Sequence, residues 1–364
     1  DYFLTDPITI TRHKVMLEID GGATIHVASG KQGLVLDGPS NSDGFLMHLV
    51  VRCYGIIQGT DFSTELDAVF LDSVIHSDLF FNEVKWVGRD GIRMNGSCFS
   101  NKIIWNRIHG NLGWNINLGG GGMINSTLFD GECQAAGLGG INAAKALYCR
   151  FRGIIENQTT DGVPALLLDS ARGNSIGIWF EGNAGDDIKT AATYWSCYDN
   201  VVDAPTVFND QKSSPDYNIN IVAGTSESFY LRHCTANFQT SRFLNIGAGG
   251  NANTIIGEEA NIIDAAVTDV TTTTRWLKPL SATFTWDPGN LADGAGETSA
   301  GVTVTGAAIA VGHRVEVSAP YDLQGITCTG YVSATNTVKA RLQNETGGAI
   351  NLASGTWRVV VRRD

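Results

Sequence analysis

Apolar residues recur along this chain in short runs that alternate with polar residues, and a polar residue, usually Asn, opens each run. The runs open at Asn82, Asn101, Asn125, Lys145, Asn174, Asn200, Ser226 and Asn253. Their average spacing of about 24 residues falls within the range of solenoid repeats. A helical solenoid would instead need apolar residues spaced three, four and seven apart. The pattern therefore predicts short β-strands stacked in parallel.

The alternation also predicts which side chains point into the solenoid. The apolar residues two positions after an opening residue include Val84, Ile103, Leu147 and Ile176, and we predict that they form one inward ladder. A register error of one residue would turn every such side chain to the other face. The opening Asn residues are expected to stack as a ladder or to adopt the left-handed backbone of a corner.

Changes in pattern along the chain predict four segments. Residues 1–56 are expected to form an N-terminal cap and the first turns, and residues 57–265 the β-helix itself. Residues 266–280 are predicted as a linker. Residues 281–364 hold about six short alternating runs, which predict a small β-sandwich that serves in trimerisation or carbohydrate binding.

Composition narrows the possible functions. The 43 Gly, 8 Pro and 17% charged residues favour turn-rich β structure. A net charge of −12 disfavours nucleic acid as a partner, although a local basic stripe could still hold an acidic polysaccharide. No apolar run is long enough to predict a membrane span. The seven Cys show no CxxC pair, so they predict small buried side chains and no zinc site.

A pair of carboxylates suggests hydrolytic chemistry. Asp130 and Glu132 have outward parity on one predicted strand, about 6.5–7 Å apart. Inverting glycosidases separate their acid and base by roughly 6.5–9.5 Å. Glu181, flanked by Trp179 and Phe180, is our first choice for the general acid, with Asp130 or Glu132 as the base.

Neighbouring turns add groups that would hold a sugar chain. Counting from the opening residues predicts Arg150 and Arg152 in the columns of Asp130 and Glu132 one turn on, where their guanidinium groups would pair with the carboxylates of an acidic polysaccharide. Trp179 and Glu181 are predicted in the same columns two turns on, with the indole as a platform for a sugar ring. The predicted substrate-binding residues are Trp179, Arg150, Arg152, Tyr148, His109 and Glu156.

The asparagine-opened runs, the glycine-rich turns and the segment from Trp179 to Asn183 resemble the pectate-lyase-like right-handed β-helix superfamily, especially bacteriophage tailspikes and tail fibres. The C-terminal segment is similar to small β modules of such proteins. The resemblance implies an extracellular or virion-associated homotrimer that binds or cleaves a cell-surface or extracellular polysaccharide. It supplies no single catalytic motif of a pectate lyase or polygalacturonase.

Two other functions remain open at this stage. A polysaccharide lyase would need a base near C5 of a uronic acid and a cation that stabilises the enolate. His109, Tyr148, Arg150, Arg152 and His233 are the groups available for that role. A non-catalytic adhesin or receptor-binding fibre would use the same fold, with the outward charges as solvated ion pairs. No cofactor is expected, and Asp186-Asp187 is only a weak signal for Ca²⁺.

Overall fold

The fold was determined as a computed structural model of the chain, and the regular elements of the described residues are all β-strands. It describes residues 1–39, 44–60, 66–203, 206–209, 212, 216–226, 228–236, 242–247, 254–257, 267–269, 275–276, 279–304, 309 and 311–362. In these ranges no helix has the length and apolarity that a membrane crossing requires.

Three parallel sheets build the N-terminal part. Sheet A contains Tyr2–Phe3, Met16–Ile19, Thr24–Val27, Val50–Gly59, Asp78–Lys85, Lys102–His109, Leu128–Gln134, Arg150–Glu156, Ser175–Glu181, Asn200–Val202, Val207–Phe208, Phe229–Leu231, Thr235–Ala236, Thr254–Ile256 and Arg275–Trp276. Sheet B contains Ile8–Ile10, Leu34–Asp37, Val69–Asp72, Ile92–Asn95, Trp114–Gly120, Gly139–Asn142, Leu166–Asp169, Ile188–Ala191, Ile219–Ile221, Leu244–Ile246 and Val267–Asp269. Sheet C contains Leu46–Met47, Val74–Ile75, Cys98–Phe99, Ile124–Asn125 and Ala146–Leu147. The fold is the predicted right-handed parallel β-helix.

The interior is a continuous apolar core, and it corrects the predicted ladder. Val84, Ile103 and Ile176 are fully buried as predicted. They occupy two columns, because Ile103 is in register with Leu79, whereas Val84 is in register with Ile108. Leu147 lies half-buried in sheet C instead. The error arose because Asn82 lies inside its strand, so counting from it shifts the register.

At the corner between sheets C and A, the side-chain ladder and the left-handed backbone belong to two adjacent positions and not to one Asn residue. Asn174 donates from Nδ2 to Oδ1 of Asn200 at 2.8 Å and to the carbonyl of Ala146 at 2.9 Å, so these amides form the predicted ladder. Residues immediately before that position adopt the left-handed backbone, with positive φ at His48, His76, Ser100, Ser126 and Tyr148. The backbone therefore has the same left-handed conformation at this corner in each of these five turns.

Six of the seven cysteines are buried, as the sequence predicts, and none of the seven forms a disulfide. Burial in the solenoid raises the pKa of Cys53 to about 11 and that of Cys149 to about 12. These thiols therefore act as small core side chains.

The C-terminal strands are antiparallel and have their own core. They are Leu280–Trp286, Gly289–Leu291, Gly296–Thr298, Val302–Thr303, Arg314–Ser318, Thr327–Ala334, Thr337–Gln343, Ile350–Leu352 and Gly355–Arg362. Trp286 packs on the buried Trp357 with ring centroids 5.1 Å apart. Solenoid pairing reaches Val267–Asp269 and Arg275–Trp276, inside the segment predicted as a linker. Thr271 to Thr274 lie outside the described residues, and the domain boundaries stay predictions.

Candidate functional site

The outward face of sheet A carries most of the predicted site residues, in a register different from the predicted one. Asp130 is in register with Arg152, and Glu132 with Ile154. Trp179 follows in the column of Glu132, whereas Glu181 lies two positions further along its strand. The prediction that Arg150 and Trp179 share the column of Asp130, and Arg152 and Glu181 that of Glu132, was therefore wrong.

The physical reason is the corner between sheets C and A. Asn125 and Lys145, from which two of the columns were counted, lie at sheet C before the corner. Asn174 lies after the corner, where its side chain joins the ladder. Asn125 is in register with Leu147, and Leu147 with Arg172, so the count from Lys145 starts two residues too early and the count from Asn174 two residues too late.

Polar side chains at the ends of four strands form a row, which we call the acidic row: Gln134, Glu156, Glu181 and Asn209. The Gln134 amide donates to Oε1 of Glu156. Asn209 donates from Nδ2 to Oε1 of Glu181 at 3.1 Å. The carboxylates thus lie side by side, each held by a carboxamide from a neighbouring turn.

A half-exposed apolar surface adjoins the acidic row. Trp179 is 38% exposed, and its indole N–H donates to Oε2 of Glu181 at 2.9 Å. Ile154, in register with Trp179 on the next strand, is 37% exposed. An indole beside carboxylates offers a flat apolar face together with hydrogen-bond acceptors.

Strand geometry sets the spacing of the carboxylates. Glu156 and Glu181 are register partners, so their Cα atoms lie about 4.8 Å apart. Glu132 lies one strand and two residues from Glu156, or about 8 Å. The corresponding distance from Asp130 to Glu181 is about 16 Å. Asp130 is therefore too far from Glu181 to form a direct acid–base pair with it.

Asp130 and Glu132 flank a glycine that the packing requires. A Cβ at Gly131 would lie 2.2 Å from the carbonyl oxygen of Trp105 and 2.6 Å from its indole. The same indole donates to the carbonyl of Glu132 at 2.9 Å. Glu132 also pairs with Arg107 at 3.1 Å, whereas the side chain of Asp130 has no hydrogen bond or ion pair to the described residues. Only Glu132 of this pair is held in place.

His109 continues the column of the acidic row, since it is in register with Gln134. Its Nε2 lies 2.9 Å from Oε1 of Glu83, and Lys85 contacts the same oxygen at 3.2 Å. Burial raises the pKa of Glu83, but these two hydrogen bonds and the nearby positive charges outweigh burial and lower it. His109 is therefore engaged with a carboxylate, which leaves it poorly placed as a free base.

Tyr148 and Arg150 lie away from the acidic row, beside the corner of sheets C and A. They line a groove of about 790 Å³ together with His48, His76 and Lys102. The predicted site residues therefore divide between the beginnings and the ends of the sheet A strands. His233 lies in a later turn, where its Nδ1 contacts Asp203 at 2.8 Å.

Asp186 and Asp187, the weak signal for Ca²⁺, accept hydrogen bonds from protein groups. Asp186 accepts from the backbone of Tyr217 at 2.7 Å, and Asp187 pairs with the buried Lys212 at 2.8 Å. Within the described ranges, no three His, Cys, Asp or Glu side chains cluster as a metal site.

Reasoning from the sequence missed Arg107, Gln134, Asn209, Lys102, His48 and His76. Lys102 carries a detectable signal, because it precedes the alternating residues of an evident strand. Arg107 follows an irregularity in that strand, and it and the others become visible only once the register is known.

The fold makes this chain a right-handed parallel β-helix protein. No family model and no curated protein matches it. Solved structures similar to it include the tailspike of Acinetobacter baumannii bacteriophage AP22 in complex with a capsular saccharide, at 9% identity and a TM-score of 0.42, covering 94% of this chain and 68% of that one. Others are the Dettilon tailspike, at 9% and 0.31, covering 94% and 88%, and the tailspike of E. coli bacteriophage HK620 with a pentasaccharide, at 9% and 0.28, covering 100% and 82%.

Proposed function

We propose that this protein binds and hydrolyses a cell-surface or extracellular polysaccharide on the outward face of sheet A. The observation that carries the proposal is the acidic row with the half-exposed Trp179 hydrogen-bonded to Glu181. Carboxylates and carboxamides bind sugar hydroxyls, and an indole covers the apolar face of a sugar ring.

Glu181 is the general acid in this proposal. It gives its proton to the glycosidic oxygen as the C–O bond breaks, and its hydrogen bonds to Trp179 and Asn209 orient it. Glu156 is the nucleophile in this proposal: its Cα lies about 4.8 Å from that of Glu181, which allows the carboxyl separation of about 5–5.5 Å that retaining enzymes use. A second candidate is an inverting pair of Glu132 and Glu156, whose Cα atoms lie about 8 Å apart. The anomer of the first product distinguishes these pairs.

The remaining expectations belong to the same proposal. The protein acts outside the cell or on a virion, and three copies assemble with help from residues 281–364. Light scattering tests the assembly: the full chain is expected to run as a trimer, whereas a chain that lacks residues 281–364 is expected to run as a monomer or aggregate. A stable trimer of the shortened chain would contradict that role.

The test is a polysaccharide panel read by reducing ends and by absorbance of unsaturated products, with the full chain and Glu181→Gln. We expect reducing ends without new absorbance, and a loss of turnover of about 10²–10⁴-fold in the variant. Glu297→Gln is the matched control, because Glu297 also accepts an indole N–H, from Trp286 at 3.2 Å, in the C-terminal module. This control is expected to keep full turnover.

Each other outcome contradicts hydrolysis at Glu181. Absorbance together with reducing ends would indicate elimination, with Tyr148 and Arg150 in the groove as the next residues to change. Saturable binding without product would indicate an adhesin. Full turnover by a folded Glu181→Gln variant would remove Glu181 from the chemistry.

A further inference from the structure

The groove beside the corner of sheets C and A has a composition unlike that of the whole chain. Its lining includes His48, His76, Asp78, Lys102, Tyr148 and Arg150. The rings of His48 and His76 stack with centroids 5.7 Å apart, and Tyr148 is 59% exposed. A groove rich in cationic and aromatic groups on a chain of net charge −12 indicates a local function.

Two cations in the groove lack carboxylate partners. Asp78 is in register with Lys102 on the next strand, yet it pairs with Arg52 at 2.8 Å. Arg150 has Leu128 on one side and Ser175 on the other, both uncharged. Neither Lys102 nor Arg150 forms an ion pair with any residue that the structure describes. Both side chains are exposed, so they are available to an external anion.

Aromatic rings extend the groove along the same face. Tyr54 and Phe80 stand beside Arg52 and Lys102 in an adjoining hollow, with ring centroids 5.6 Å apart. Tyr54 is 46% exposed. The exposed rings of Tyr54 and Tyr148 would contact the apolar face of an acidic sugar, and Lys102 beside them its charged group.

We infer that this groove is an anchoring site for carboxylate-bearing sugars, which makes the polysaccharide of the proposed function an acidic one. The inference rests on that function for its ligand class, but it concerns different residues. Lys102 and Arg150 bind the sugar carboxylates, and the groove holds the chain while its continuation crosses the acidic row.

The test is a glycan array that carries uronate- and sialate-containing chains beside the same chains with their carboxyl groups reduced to alcohols. The full chain is expected to bind carboxylated chains and to lose binding when the carboxyl groups are reduced. Lys102→Gln with Arg150→Gln is expected to weaken that binding by about tenfold or more. Lys102→Arg with Arg150→Lys should restore most of it. Arg232→Gln, an exposed arginine in a later turn, is the control.

The outcomes separate this inference from the proposed function. Unchanged binding by the Gln variants, equal binding of reduced chains, a preference that follows only sulfate or phosphate, or no binding by the full chain would each overturn the groove assignment. If the groove assignment failed in this way but Glu181→Gln still lost turnover, hydrolysis at Glu181 would be supported without the groove. If only the groove variants had an effect, the groove would stand and hydrolysis at Glu181 would fail.

Discussion

The two ends of the sheet A strands differ in charge and in how their charges are held. At the strand beginnings, Lys102 and Arg150 line a groove, and neither forms an ion pair with a described residue. At the strand ends, Glu156 and Glu181 accept hydrogen bonds from fixed donors. The two regions are about 20 Å apart along strands of seven or eight residues.

This difference indicates that the acidic row suits chemistry and the groove suits binding. Chemistry requires groups fixed in position before the substrate arrives, which the hydrogen bonds of the acidic row supply. Binding an anionic chain needs only accessible opposite charge, which free Lys and Arg side chains supply. One set of strands can serve both needs because its inner face is a rigid core.

The largest expected effect comes from breaking that shared core. Phe151, fully buried between Arg150 and Arg152, stacks on Phe129 with centroids 5.2 Å apart. Phe151→Ala should lower the free energy of unfolding by about 3–5 kcal/mol, because it leaves a cavity that the solenoid cannot close. Denaturant unfolding measures it. Leu112→Ala, at a side chain 41% exposed, should change the free energy by less than about 0.5 kcal/mol. An equal loss in the two variants would contradict the core assignment.

A smaller effect should separate the two ends kinetically. Glu181→Gln is expected to lower kcat by about 10²–10⁴-fold with little change in KM. Lys102→Gln with Arg150→Gln should raise KM by about tenfold and leave kcat near the wild-type value. Steady-state kinetics at two salt concentrations tests this, since only the groove contribution should weaken with salt. A fall in kcat in the groove variant would contradict the assignment of binding to the groove and of chemistry to the acidic row.

The smallest expected effect concerns Glu83, whose ion pairs anchor His109 and Lys85 beside the acidic row. Its pKa is lower folded than unfolded, so the pair stabilises the protein fully above the ordinary value of 4.5 and less as pH falls through the lowered pKa. Glu83→Gln should therefore cost about 1 kcal/mol at pH 7, and this cost should shrink as pH falls below 4.5 and through the lowered pKa. Melting curves from pH 7 downward measure this cost, with Glu18→Gln, at an exposed residue, as the control. A stability difference between the wild type and Glu83→Gln that did not depend on pH would contradict the prediction.

The sequence was sufficient for the class of fold and for the parity of several strands. The alternation around Ile103 and Ile176 predicted inward side chains, and both are buried. Parity also placed Asp130, Glu132 and Glu181 on the outward side. These features depend on local patterns, which each strand carries by itself.

Register across turns could not be predicted in the same way. The chain passes from sheet C to sheet A through a left-handed residue such as Tyr148, and such residues vary in type from His to Ser to Tyr. No single residue type therefore marks the corner. The neighbours of each carboxylate, such as Gln134 beside Glu156, therefore emerged only from the structure.

The most direct test of the account is a crystal structure of Glu181→Gln with a bound acidic oligosaccharide that the wild-type protein cuts. We expect the sugar chain to lie across the outward face of sheet A, with a carboxylate at Lys102 and Arg150 and a ring on Trp179 beside position 181. A chain bound elsewhere, such as on the strands of residues 281–364, would contradict the central claim.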